Sequence, residues 1–229
     1  GDAVVVRRSS DNATQSIGFV DGELDTTALD TFCSGTDGFV ATWLDQSGNG
    51  NNATQTTASS QPKIFDSVTG VSLNNGKPSL YFDGNENRII ANSLAGKTRL
   101  DTYFVVNQSD TSYLYPTVIS SSIFGFFATS SSTNTAIYQD YGTPSLYANT
   151  SIFTGSTRND VYNFLNGSKI VVHQNASTAA FGSYNFGIYA AGTDINFNGY
   201  LSELIAYDTD QSSNRTGIET NINDFYSIY

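Results

Sequence analysis

Short apolar runs alternate with polar, glycine-rich segments along nearly the whole chain. These runs are rich in valine, isoleucine and aromatic residues, which is typical of β-strands. In the first half they lie near residues 39–44, 62–65, 79–82 and 88–91. Turn-forming segments such as Gly76-Lys77-Pro78 separate them. The pattern predicts antiparallel strands joined by tight turns.

The middle of the chain continues in the same way. Further strands are predicted at Thr102–Gln108, Thr117–Ser120, Ile123–Ala128, Ala136–Asp140, Leu146–Asn149 and Val161–Leu165, and near 185–190 and 197–207. Asn166-Gly167 separates the run at 161–165 from another apolar run at 169–173, and this spacing predicts a two-residue type I′ hairpin. His173 has no second histidine or cysteine nearby, and we expect it to face solvent.

Two segments predict helices. Asp25 is suited to cap a short helix near 26–33, with Leu29 and Phe32 packed inward. Near the end, Ser212 or Ser213 is suited to cap a helix near 213–226. The residues that recur at helical spacing in that segment are Ile218, Ile222, Phe225 and Tyr229. We therefore expect one all-β domain over 1–229, a two-sheet antiparallel sandwich with two short helices.

Composition narrows the possible partners. The net charge of −11 would repel a phosphate backbone, so nucleic acid is excluded as a partner. No apolar run approaches the roughly 20 residues that span a bilayer. Position 1 is not methionine, so we expect a piece excised from a larger protein, located outside the cell or on a virion surface. Cys33 is the only cysteine and is expected to be a buried, inert thiol.

The polar loop that follows Trp43 is the first candidate site. Its alternating oxygen-bearing side chains resemble the start of a calcium-binding loop, and a Ca²⁺ site is expected on Asp45, Ser47, Asn49 and Asn51. The position where such loops carry a bidentate glutamate is Thr56 here. The alternative is a turn whose side chains cap their own backbone.

A second candidate site combines aromatic rings with amides and carboxylates, the side chains that suit sugar binding. It comprises Tyr138, Gln139, Asp140 and Tyr141, together with Asp83, Asn85 and Glu86, which are also candidates to complete the calcium site. The alternative is that these aromatic residues pack inside the sandwich, because tyrosine is common in strands. Trp43 continues an apolar strand and is expected in the core.

Three segments together resemble the concanavalin A-like, laminin-G-type jelly roll in order and spacing: 43–53, 78–84 and 197–207. Arg7–Asn12 with Phe32-Cys33 is similar, more narrowly, to the catalytic-domain fold of fungal α-L-arabinofuranosidase B. The pattern also resembles domains of bacterial secreted proteins and phage structural proteins. The resemblance implies a jelly-roll sandwich, a fold that hosts lectins, glycosidases and structural domains.

Glycoside hydrolysis would need two facing carboxylates. Glu23-Leu24-Asp25 begins the Glu-x-Asp-x-x-Glu pattern of jelly-roll hydrolases, but Ala28 occupies its last position. The cysteine pairs typical of the arabinofuranosidase are also missing. We therefore expect a non-catalytic, lectin-like module that binds cell-surface polysaccharide. The alternatives are a structural domain of a virion or fibre that binds other protein chains, and a divergent glycoside hydrolase.

Overall fold

The computed structural model describes residues 1–92, 95–108, 132–135, 137, 145–176, 184–187 and 197–229. The predicted strands Thr117–Ser120 and Ile123–Ala128 lie outside these ranges, as does Ala136–Asp140 except for Ile137. Within them the strands are β1 (Asp2–Arg8), β2 (Thr14–Val20), β3 (Glu23–Leu24), β4 (Gly38–Trp43), β5 (Ala53–Thr54), β6 (Lys63–Asp66), β7 (Gly70–Val71), β8 (Leu73–Asn74), β9 (Lys77–Pro78), β10 (Leu80–Asp83), β11 (Ile89–Ala91), β12 (Arg99–Gln108), β13 (Ser145–Ala148), β14 (Ser151–Ile152), β15 (Ser168–Ala176), β16 (Tyr184–Phe186) and β17 (Asn198–Tyr207). The helices are α1 (Thr26–Cys33), α2 (Arg158–Leu165) and α3 (Arg215–Tyr226), with a 3₁₀ turn at Ala58–Ser60.

The protein is an antiparallel β-sandwich, which confirms the predicted fold class. Hydrogen-bonded neighbours follow the order β14-β13-β15-β12-β17-β10-β6-β4-β1-β2-β3, and β5 connects β4 to the β11–β16 pair. A separate small hairpin joins β8 to β9. No helix among the described residues is long and apolar enough to cross a membrane.

The central strand β12 is buried on both faces. Phe104 and Val106 face the main core, which contains apolar side chains from most of the strands. Tyr103 and Val105 point the other way, into a second cluster beneath α3 that also holds Ile222. The buried members of this second cluster are Tyr103, Val105, Ile170, Val172, Ile222 and Tyr226. Because β12 is covered on both sides, its centre, residues 103–106, is apolar on both faces and shows no alternation.

The structure confirms the predicted short helix near 26–33, which is α1. The Asp25 carboxylate accepts a hydrogen bond of 2.9 Å from the backbone N–H of Ala28, and Leu29 and Cys33 are fully buried, whereas Phe32 is half-buried. Burial raises the pKa of the Cys33 thiol to about 11, so the thiol stays protonated and unreactive at neutral pH.

The predicted strand at 161–165 is wrong, because these residues belong to α2. Thr157 and Asp160 form a capping box that starts the helix, and Val161 and Leu165 are buried on one face at helical spacing. The predicted type I′ hairpin is wrong too. Asn166 has φ −61° and ψ 138° and Gly167 has φ 81°, which is type II geometry leading from α2 into β15.

The structure also corrects expectations about the burial of single residues and about the start of α3. His173 is buried because β15 lies between β12 and β13 with both faces covered. Trp43 packs against the main core as expected, but it is only half-buried and also borders a cavity. Helix α3 begins at Arg215, after Asn214, so neither predicted serine caps it. Its buried residues are Glu219, Ile222 and Tyr226, whereas Phe225 and Tyr229 are exposed.

Candidate active-site groove

Two cavities adjoin on one side of the sandwich, with volumes of about 420 Å³ and about 840 Å³. They share the lining residues Phe19, Trp43, Ser202, Glu203 and Tyr226. Because the shared residues form a common wall, we treat the two cavities as one feature and call it the groove. Its size and its mixture of apolar and polar lining are typical of a small-molecule or glycan site.

The two walls of the groove come from distant parts of the sequence. Phe19 on β2, Trp43 on β4 and the loop that starts at Asp45 form the first wall. Strand β17 supplies Ser202 and Glu203 to the second wall. The groove therefore exists only once the N-terminal strands and the last strand have come together in the sandwich.

A β-bulge directs Glu203 into the groove. On β12, Val105 pairs with Glu203 and the next residue, Val106, pairs with Leu201, so Ser202 is an extra residue on β17. Leu201 and Leu204 both face the main core. Regular alternation allows one residue between two such positions, whereas two stand here. The extra residue places Glu203 on the face of Val105, away from the main core.

Glu203 is a half-buried carboxyl group. Burial raises its pKa, and the neighbouring Tyr226 hydroxyl acts in the opposite direction without cancelling the effect. No ion pair joins Glu203 to a basic side chain within the described ranges. A carboxyl group of raised pKa in an open cleft has the properties of a general acid.

Tyr226 closes the groove at the end of α3. Its hydroxyl donates a hydrogen bond of 3.3 Å to the carbonyl of Ser202, the bulged residue. The Asn75 side chain donates to the carbonyls of Tyr226 at 2.5 Å and Ser227 at 2.9 Å. Burial raises the pKa of Tyr226, so the hydroxyl stays protonated and able to donate. These contacts hold the helix end, the bulge and Glu203 together.

Asp45 has the opposite electrostatic behaviour. Its carboxylate accepts hydrogen bonds of 2.8 Å from the backbone N–H groups of Ser47 and Asn51 and another of 2.8 Å from the Ser47 hydroxyl. Burial alone would raise the pKa of Asp45, but these hydrogen bonds outweigh it and hold the pKa below its ordinary value. Asp45 lines the larger cavity together with Glu203.

The predicted calcium residues all lie in this loop and line the larger cavity. Their contacts are those of a self-capped turn: Ser47 bonds to Asp45, and Asn49 bonds to the Ser47 hydroxyl. Within the described residues, no group of three histidine, cysteine or acidic side chains is arranged to hold a metal ion. The Ca²⁺ site stays a prediction.

The predicted sugar-binding residues are divided by the structure. Asp83, Asn85 and Glu86 lie in the turn after β10, where the Asp83 carboxylate accepts a 2.8 Å hydrogen bond from the N–H of Asn85. They line neither cavity of the groove. The other four residues of this predicted site, Tyr138, Gln139, Asp140 and Tyr141, lie outside the described residues.

Sequence reasoning did not select Glu203 and Tyr226 as site residues. The available signal was a single glutamate inside the apolar run Leu201–Tyr207, because a charged residue within such a run needs a structural or chemical reason. Tyr226 carried no comparable signal, since aromatic residues at helical spacing ordinarily pack in the core.

One ion pair lines each of the two cavities of the groove. Lys77 and Glu23 pair at 2.5 Å beside the smaller cavity, and Lys97 and Asp208 pair at 2.7 Å beside the larger one. Each pair neutralises its own charges. Glu203 and Asp45 are therefore the acidic groups of the groove that have no basic partner among the described side chains.

Comparison with known proteins gives one family and a set of structures. A family model for the catalytic domain of α-L-arabinofuranosidase B matches residues 1–77. No curated protein matches the chain. Similar solved structures include a GH54 α-L-arabinofuranosidase soaked with a cyclic sulfate inhibitor, at 16% identity and a TM-score of 0.56. They also include an arabinofuranosidase in complex with arabinofuranosyl-α-1,2-xylobiose, at 15% identity and a TM-score of 0.53.

The superpositions cover 96% of this chain and 58% of each enzyme chain, so this chain spans somewhat more than half the length of those enzymes. The likeness supports the β-sandwich fold. The expectation of a non-catalytic, lectin-like module is wrong, because the family-model match is to a catalytic domain of a glycoside hydrolase. The comparisons also give no support for virion partners.

Proposed function

We propose that this domain is a glycoside hydrolase whose groove cleaves arabinofuranosyl linkages in glycans. The family match over residues 1–77 supports the proposal, since that segment supplies Phe19, Trp43 and Asp45 to the first wall of the groove. The similar structures include an arabinofuranosidase with an arabinofuranosyl ligand. The observation that carries the proposal is the pairing of Glu203 and Asp45 along one cavity with pKa values shifted in opposite directions.

Opposed pKa shifts assign the two chemical roles. Glycoside hydrolysis requires one carboxylic acid that protonates the leaving oxygen and one carboxylate on the other side of the sugar. Glu203 is the acid because burial favours its neutral form. Asp45 is the carboxylate because its loop hydrogen bonds favour the ionised form.

Proton transfer from Glu203 to the glycosidic oxygen breaks the bond between that oxygen and the anomeric carbon. Asp45 then either removes a proton from an attacking water or attacks the anomeric carbon itself, in which case water later releases the sugar. The three donors on the Asp45 carboxylate leave room for one more hydrogen bond, because an ionised carboxylate offers about four acceptor positions.

Two carboxylate substitutions test this proposal. We expect Glu203→Gln and Asp45→Asn each to lower kcat/KM on arabinofuranosyl-α-1,2-xylobiose, whose sugar leaving group must be protonated, by about 10²–10⁴-fold, the usual contribution of general acid–base catalysis. Glu86→Gln is the matched control, because Glu86 is exposed and lines neither cavity. The assay measures released arabinose, with melting temperatures to verify folding.

Two results would reject the assignment: no hydrolysis by the parent protein across arabinofuranosyl substrates, or full activity of Glu203→Gln. If hydrolysis occurs, NMR of the first-formed anomer distinguishes retention from inversion, and thereby water attack from direct attack by Asp45.

A further inference from the structure

The smaller cavity is lined by two aromatic rings that remain partly exposed. Phe19 is 42% exposed and Phe225 is 43% exposed, and both line this cavity. Single exposed apolar residues are ordinary on a protein surface, whereas a pair that borders one cavity next to a candidate acid indicates a contact surface. Exposed rings bind the apolar faces of sugars and lose little conformational entropy in doing so.

The charges around these rings favour an uncharged ligand. Lys77 lies with its ammonium 4.1 Å from the centre of the Phe225 ring and pairs with Glu23, so its charge is balanced within the protein. The chain as a whole carries a net charge of −11, which repels anionic polymers. A polysaccharide rich in uronic acids is therefore disfavoured relative to a neutral one.

The cavity also has polar groups placed for hydroxyl recognition. Asn221 on α3 lines the cavity together with Phe225, and Ser202 and Glu203 on β17 line it as well. A ligand in this cavity therefore has apolar rings, an amide, a hydroxyl group and the Glu203 carboxyl group within one lining. This arrangement suits a chain of sugar residues that continues beyond the linkage at Glu203.

We propose that the smaller cavity is a binding subsite for the neutral oligosaccharide that continues from the cleaved linkage, with Phe19 and Phe225 as its sugar-contacting rings. The position of the cleaved linkage rests on the proposed function, whereas binding at these rings can be measured without turnover. The specificity expected is for neutral pentose or hexose chains over chains of uronic acids.

Direct binding tests the subsite. In the Glu203→Gln background, which prevents turnover on the proposed mechanism, we expect Phe19→Ala and Phe225→Ala each to weaken the Kd for arabinofuranosyl-α-1,2-xylobiose by about 5–10-fold, as expected from the apolar area that each ring contributes. Isothermal titration calorimetry measures the Kd, and oligogalacturonate is the acidic comparison ligand. Ile152→Ala is the matched control, because Ile152 is 54% exposed and lines neither cavity.

The outcomes separate the two proposals. Weaker binding in both Phe→Ala variants with an unchanged Ile152→Ala supports the subsite; if the Glu203→Gln variant retains hydrolysis, the catalytic assignment fails and the same comparison is made on KM. Unchanged binding in the Phe→Ala variants, an equal loss in Ile152→Ala, or tighter binding of oligogalacturonate overturns it. Phe19→Leu and Phe225→Leu keep apolar volume without a ring, so they replace the alanine variants if those fail to fold.

Discussion

Glu203 and Glu219 both lie against α3, Glu219 within its first half and Glu203 beside its last residue, Tyr226, and they show how one residue type acquires two roles. Burial raises the pKa of both carboxyl groups. Glu219 is fully buried, with one oxygen accepting a 3.0 Å hydrogen bond from the N–H of Thr150 and the other paired with Arg215. Glu203 is half-buried and faces the groove, with the Tyr226 hydroxyl beside it.

The difference between the two glutamates is access. The bonds to Thr150 and Arg215 engage both oxygens of Glu219, and Arg215 is also held over the Tyr147 ring at 4.0 Å. Neither a substrate nor an exchanging proton can reach that carboxylate without breaking these contacts. Glu203 has a cavity on each side. A raised pKa is therefore evidence for chemistry only where the structure leaves room for a ligand.

The largest effect is expected on the pH dependence of stability, and it comes from His173, whose side chain is buried. Burial lowers the pKa of His173 to about 4 in the folded protein, whereas an unfolded histidine has a pKa near 6.5. The unfolded state binds more protons between these values, so stability falls as the pH falls from 6.5 to 4, by about 3 kcal/mol for this one group.

Urea unfolding at a series of pH values measures this effect, with His173→Gln as the comparison because glutamine does not titrate. The difference in slope between the two proteins should be confined to pH 4–6.5. Asp11 and Asp66, whose basic partners hold their pKa values to about 2, add their own losses at lower pH. Parallel curves for the two proteins above pH 4 would show that His173 is not buried in its neutral form.

The substitution Glu219→Gln tests the role of the buried and paired glutamate. The substitution keeps an acceptor for Thr150 but leaves Arg215 without its anionic partner, and we expect a loss of about 2 kcal/mol in the free energy of unfolding. Activity per folded molecule should not change, since Glu219 lines neither cavity. Urea unfolding at pH 7 provides the measurement, with Glu86→Gln as the exposed control. A loss of catalysis without a loss of stability would reverse the roles assigned to the two glutamates.

The smallest effect is expected from Tyr226→Phe, which changes the surroundings of Glu203 in the groove and thereby its pKa. The hydroxyl of Tyr226 lowers the pKa of Glu203, so its removal should raise that pKa further. Activity that requires protonated Glu203 is lost as the pH rises through this pKa. The alkaline limb of the kcat/KM profile should therefore move to higher pH.

NMR titration of the Glu203 side chain gives the same pKa without turnover, and Tyr229→Phe is a matched control on an exposed ring of the same chain end. A shift toward lower pH, or an equal shift in the control, would show that Tyr226 does not act on Glu203 through its hydroxyl.

Local sequence patterns correctly predicted the helices and strands whose own residues favour the conformation that they adopt in the fold. Asp25 caps α1 through a bond within its own turn, so the cap was readable from the sequence. The strands β4, β6, β10 and β17 also match their apolar runs within a residue or two. The prediction of a strand at 161–165 was wrong because Val161 and Leu165 suit either a strand or one face of a helix. The capping box at Thr157 and Asp160 settled the matter in favour of the helix.

The groove could not be predicted in the same way. Glu203 would lie on a different face of β17 without the bulge at Ser202, and the bulge follows from pairing with β12. The Tyr226 hydroxyl likewise bonds to the Ser202 carbonyl, a contact between residues 24 positions apart that no local pattern indicates.

By itself, the sequence determined the antiparallel sandwich, the two capped or periodic helical segments and the burial of Cys33, because each depends on the alternation or spacing of neighbouring side chains. Only the tertiary structure decided that His173 is enclosed, that Glu219 is paired and closed off, and that Glu203 faces a cavity beside Asp45 and Tyr226. Burial and charge pairing depend on which distant strands cover a residue, and strand order is a property of the whole fold.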